Sequence, residues 1–88
     1  MDSRSPDRKN RIRVLSYAGY RSEESPRTLV IGEKSVSVQS ILERWVEEGI
    51  TGRDRKMFFR VIGEDGLLYL ISYDEDSGGW YLEKIATA

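Results

Sequence analysis

The sequence predicts an all-β fold, five or six antiparallel strands closed as a small SH3-like barrel or roll, in a single domain over residues 12–88. Three observations carry this expectation. Short runs rich in β-branched and aromatic residues recur along the chain, separated by clusters of Gly, Pro, Ser and Asp. An Asp-Gly pair stands between two of these runs, Met57 to Ile62 and Leu67 to Tyr73, where a tight hairpin belongs. At 88 residues there is room for one small core and for no second domain.

Each element follows from its local composition. Residues 1–11 contain no large apolar side chain after Met1, so burial cannot repay the entropy of ordering them, and a disordered basic tail is expected. Ile12 to Tyr17 reads as the first strand and is ended by Ala18-Gly19. Tyr20 to Pro26 is a polar connection with a Ser-Pro stop, Arg27 to Ile31 a second strand, and Gly32-Glu33-Lys34 a short turn. Ser35 to Glu48 fits two descriptions. Val38, Ile41, Leu42, Trp45 and Val46 sit at helical spacing, Ser40 to Glu43 has the form of a capping box, and Gly49 stands where a C-cap glycine belongs. The turn after Ile31 favours instead a hairpin partner beginning near Ser35, with a bulge near Gln39-Ser40. That strand would turn Val36, Val38, Leu42 and Val46 to one side and Ile41 and Trp45 to the other. The bent strand is the preferred reading, and an α+β fold with one helix at 40–48 is the alternative. Gly49 to Arg55 and Asp74 to Gly79 are polar loops, and Trp80 to Ile85 is the closing strand.

The hairpin is unusually rich in apolar residues on both faces. With an even loop, of two or four residues, Phe59 and Val61 share a face with Leu68 and Leu70 and form core. The opposite face then carries Phe58, Arg60, Ile62, Tyr69, Ile71 and Tyr73. A strand pair with one wet face should alternate apolar with polar, and this one does not. Its second face calls for a cover. Trp45, Trp80 and Tyr81 are expected in the core or at its edge.

Composition excludes much chemistry. The chain has no cysteine and no histidine, which removes disulfides, thiolate nucleophiles, the commonest general base and the usual zinc ligands. No apolar run approaches the roughly 20 residues of a membrane-spanning helix, and no signal peptide is apparent, so a cytoplasmic protein is expected. Fourteen basic and 15 acidic residues leave a net charge of −1, unlike a strongly electrostatic nucleic-acid binder. The average hides an asymmetry, with seven basic and four acidic residues up to Arg27 and seven and eleven after it. The acidic loop Asp74-Glu75-Asp76 lacks the spaced carboxylates of a calcium loop. Neighbouring carboxylates such as Glu47 and Glu48, or Glu64 and Asp65, point to opposite strand faces and cannot share a substrate atom. No catalytic residue, metal ligand or cofactor site is expected.

Two sets of side chains remain as candidates. Phe58, Ile62, Tyr69, Ile71 and Tyr73 form an expected protein interface, with self-association into a homodimer one form of it. Arg53, Arg55, Lys56 and Arg60, beside aromatics, form an expected contact for single-stranded nucleic acid, which needs cations for phosphates and rings for bases. The first set carries the leading expectation, a non-catalytic interaction module, and the second the alternative.

The segments Ile41-Leu-Glu-Arg-Trp45, Phe58-Phe-Arg-Val61, Asp65-Gly-Leu-Leu-Tyr-Leu70 and Trp80-Tyr-Leu82 resemble a family of short bacterial proteins, a domain of unknown function. A similar segment occurs as a C-terminal appendage on relatives of Y-family DNA polymerases. Tyr17-Ala-Gly-Tyr20 and Glu24-Ser-Pro-Arg27 resemble an N-terminal signature of the stand-alone members, so the likeness covers about residues 12–85. The resemblance implies a bacterial, cytoplasmic, β-rich module with a lean toward DNA transactions. It lends no activity to any residue.

Overall fold

The computed structural model describes residues 11–16, 26–49 and 55–88. These form six strands and no helix: β1 (Arg11–Ser16), β2 (Pro26–Ile31), β3 (Lys34–Glu47), β4 (Lys56–Gly63), β5 (Leu67–Asp74) and β6 (Gly79–Thr87). Each strand pairs antiparallel with its sequence neighbours, and β6 returns to β1 to close the barrel. The expected all-β barrel is therefore the fold. The expected tail reaches Arg11, but Arg11 is paired with Tyr81 and belongs to β1; residues 1–10 lie outside the described residues. So do Tyr17 to Ser25, which include most of the N-terminal signature.

The helix alternative at 40–48 is ruled out. Residues up to Glu47 form a ladder with β4 from Val38↔Gly63 to Glu47↔Lys56, and a helix would leave that edge of β4 without backbone partners. β3 carries two bulges, between Val38 and Ser40 as expected and between Ile41 and Glu43, which was not. The bulges bend the strand so that Lys34–Ser37 pair with β2 and Val38–Glu47 run along β4. They also put Val36, Val38 and Ile41 together against the core, where the simple alternation separated Ile41 from the two valines.

The core is Ile12, Leu29, Val36, Phe59, Val61, Tyr69 and Ile71, with Trp80, Leu82, Met57 and others packed around it. This corrects the expected division of the hairpin. Phe59 and Val61 are inside, but their cross-strand partners are Ile71 and Tyr69, so Leu68 and Leu70 face outward. The reason is the loop, which has three residues, Glu64, Asp65 and Gly66. An odd loop reverses the parity that an even one imposes. Gly66 takes φ 86°, the left-handed position that closes a three-residue hairpin, and its N–H donates to the Gly63 carbonyl at 2.9 Å.

Asp65 holds this hairpin in register. Its carboxylate accepts from the Leu67 N–H at 3.1 Å and from the Tyr69 hydroxyl at 2.5 Å, and lies 3.5 Å from Lys34 Nζ. The Tyr69 hydrogen bond, then the Leu67 one, holds the Asp65 carboxyl below the usual carboxylate range. Tyr69 is pushed up to about 12, first by burial and then by its bond to Asp65. A neighbouring bond, Glu64 N–H to the Ser37 carbonyl at 2.8 Å, ties the loop to β3.

Candidate interaction face

Pairing sets the outer surface of the barrel as cross-strand rows. One row runs Trp45, Phe58, Ser72, Tyr81 and Arg11, through β3, β4, β5, β6 and β1. The next runs Glu43, Arg60, Leu70 and Lys84, and a third Ser40, Ile62, Leu68 and Ala86. A wet antiparallel face is normally polar, yet Phe58, Ile62, Leu68, Leu70 and Ala86 are contiguous here. Among them lies a shallow depression of about 330 Å³ lined by Arg60, Leu68, Leu70, Lys84 and Ala86. Its floor is aliphatic and its rim carries two cations.

The first row is pre-ordered. Trp45 and Phe58 stack with ring centroids 5.4 Å apart and planes 6° from parallel. The Trp45 indole N–H donates to Glu47 at 3.0 Å, and the Arg60 guanidinium sits 5.9 Å from the Trp45 ring centroid. At the other end of the row Arg11 lies 5.9 Å from the Tyr81 centroid. Between them Ser72 is fully buried and donates its hydroxyl to Glu83 at 2.6 Å. Glu83 is the extra residue of a bulge in β6, lying between Leu82, the partner of Ile71, and Lys84, the partner of Leu70. Trp45 and Tyr81, expected in the core or at its edge, belong to this outer row instead. Trp80 is the indole that packs against the core, 5.6 Å from Phe59.

The expected interface set is split by the odd loop. Phe58 and Ile62 lie on the outer face. Tyr69 and Ile71 are in the core, 1% and 0% exposed, and cannot meet a partner without unfolding the barrel. Tyr73 faces inward against Trp80, with centroids 5.0 Å apart. The residues that parity misassigned, Leu68 and Leu70, take their place on the surface.

The expected nucleic-acid set is not brought together as a free cationic patch. Arg53 lies outside the described residues. Arg55 is held by Glu48 at 2.9 Å and Glu75 at 3.4 Å. Lys56 is half-buried between its cross-strand neighbours Glu47 and Asp74, and Arg60 is 3.4 Å from Glu43. No protein-family model, curated protein or solved structure matches the chain. Among the described residues no group of three His, Cys, Asp or Glu is placed to hold a metal ion, and no helix is long and apolar enough to cross a membrane.

Proposed function

We propose that the protein is a non-catalytic interaction module that docks a protein partner on the outer face of β4, β5 and β6. The observation that carries this reading is the run of partly exposed apolar residues Phe58, Ile62, Leu68, Leu70 and Ala86 on a sheet face that no other described strand covers. The depression beside Leu68 and Leu70 fits an apolar side chain, and Lys84 on its rim fits a carboxylate next to it. The partner is therefore a protein surface that presents an aliphatic or aromatic anchor beside an acidic residue. Charge favours this over single-stranded nucleic acid. Stacking needs free rings beside free cations, whereas Trp45 and Phe58 stack on each other and Arg55 and Arg60 already face carboxylates.

The test places a photo-crosslinking amino acid at Leu70 in the protein's own cells. Crosslinks to one or a few polypeptides, lost on Leu68→Glu and absent from a crosslinker placed at Glu33, support the proposal. Crosslinks to nucleic acid, or polypeptide crosslinks that Leu68→Glu leaves unchanged, overturn it.

A further inference from the structure

A second surface, distinct from the outer face, lies where β1 runs past the start of β6. The two strands pair at Arg11↔Tyr81 and Ile12↔Trp80, and from Val14 onward β1 runs past the first residue of β6, Gly79. Among the described residues Arg13–Ser16 pair on one side alone, with β2. Along that stretch every second residue turns its N–H and C=O away from β2, toward an open edge. The edge borders a groove of about 570 Å³, whose opposite wall is Gly78, Gly79 and Trp80.

Three features of the groove are chemical. Gly78 adds no side chain to the wall, and only the Tyr73 hydroxyl, 4.0 Å away, lies near where its Cβ would stand. Ile12 points into the core, so Arg11, Arg13 and Leu15 share the outward side of β1, two cations followed by an aliphatic side chain that is half exposed. The Arg11 guanidinium lies against Gly79, 3.1 Å from where a Cβ would stand there, which fixes it at the groove wall. An open strand edge is usually blunted by a covering element or by a bulge, and β1 carries its register shift only at its far end, between Leu15 and Ser16.

We infer that this groove takes an extended acidic segment of a partner protein, added as a strand to the edge of β1. Backbone hydrogen bonds to Arg13–Ser16 hold the segment, alternate carboxylates meet Arg11 and Arg13, and an apolar residue covers Leu15. The site uses a different surface and a different mode of recognition from the outer face. Either can fail without the other.

The experiment uses the full chain with Trp45→Phe, leaving Trp80 in the groove wall as the single indole reporter. The probe is a blocked hexapeptide of alternating Glu and Val. Binding should change Trp80 fluorescence and slow amide exchange at residues 13–16. Arg13→Glu should weaken it by about tenfold or more, as should N-methylation of the central valine, which removes a backbone donor while keeping the charges. Leu68→Glu should leave it unchanged. No binding at millimolar peptide overturns the inference, as does equal binding of the N-methylated peptide, which would mean attraction by charge alone. Binding that Leu68→Glu abolishes and Arg13→Glu does not would assign the peptide to the outer face and overturn the groove while supporting the proposed function.

Discussion

Gly63 ends β4 where three fixed neighbours converge, so Gly63→Ala should destabilise the barrel well beyond an ordinary surface change. A Cβ built on this residue falls 2.6 Å from Val36 Cγ1, 2.7 Å from Asp65 Oδ1 and 3.0 Å from Tyr69 Cε1. Carbon pairs rest at about 3.5–4.0 Å, so the valine contact overlaps by about 1 Å. None of the three can retreat cheaply. Val36 is 3% exposed and β-branched, opposite the fully buried Leu29. Asp65 is held by Leu67 and Tyr69, and Tyr69 is itself core. Overpacking costs about 1–3 kcal/mol, and displacing Asp65 leaves the hydroxyl of the buried Tyr69 without its acceptor, which costs about 1–3 kcal/mol more. Against this, alanine restricts the unfolded chain and returns about 0.4–1 kcal/mol. The net expectation is a loss of about 2–4 kcal/mol, which for a domain of this size lowers Tm by roughly 10–25 °C. Urea unfolding followed by circular dichroism measures it. Val36→Ala in the same chain removes the closest clash, so the double variant should be more stable than the sum of the two single losses predicts. A Gly63→Ala protein within about 0.5 kcal/mol of wild type, the range of an ordinary surface change, would refute the packing argument. Strict additivity with Val36→Ala would refute the assignment to that contact.

The division of β5 predicts opposite outcomes for neighbours. Leu70→Lys should leave the fold intact and abolish capture of the partner by a crosslinker moved to Ala86, whereas Ile71→Lys should unfold the chain, since even Ile→Ala in a core costs about 2–5 kcal/mol; the reverse order of stabilities would sink the three-residue loop. Asp65 has a folded pKa below its ordinary 3.8, so its stabilisation is complete above that value and is lost as pH falls through the folded pKa. Tyr69→Phe removes the largest cause, and urea titrations below pH 4 should then show a flatter dependence of stability on pH. Tyr69 has the opposite sign: its contribution is full below its ordinary 10.0 and is lost as pH rises toward about 12, and Tyr69→Phe should abolish that part of the alkaline loss. A double-mutant cycle between Trp45 and Phe58 should give a coupling of about 0.5–1.5 kcal/mol; zero coupling would mean that the stacked rings do not support each other.

The strand runs were legible because β-branched and aromatic clusters alternate with turn residues, and β4 and β5 stand where those clusters predict. The face assignment was not, because it depends on whether the loop holds an even or an odd number of residues. The signal was nonetheless in the sequence: Glu64-Asp65-Gly66 places glycine at the third loop position, which suits a three-residue loop with a left-handed close as well as a shorter one. Reading it that way would have sent Tyr69 and Ile71 inward and Leu68 and Leu70 outward. β3 was ambiguous because its bulges bring Val38 and Ile41, three residues apart, to the same face, a spacing that a helix shares, while Trp45 lies on the other face. Composition could not show the ion pairs that occupy Arg55 and Arg60. Glu43 and Glu75 meet them only through strand register, and a basic cluster in the chain is not a basic patch in space. The edge of β1 that is unpaired among the described residues was equally hidden, since it depends on how far the β1–β6 ladder runs.

The two places where the barrel turns from one half to the other differ in kind. On one side β3 carries the handover within a continuous strand, so no motion short of breaking its ladders can part the halves there. On the other side the closure is two rungs, at Arg11↔Tyr81 and Ile12↔Trp80. The molecule is therefore a clasp with a covalent hinge and a short catch. Thermal opening belongs at the catch, where amide exchange should be faster than in the paired centre of β4 and β5. What opens there exposes the face of Ile12 and the wall of Trp80 together, so the stability of this seam also sets how readily a strand from outside can compete for its place.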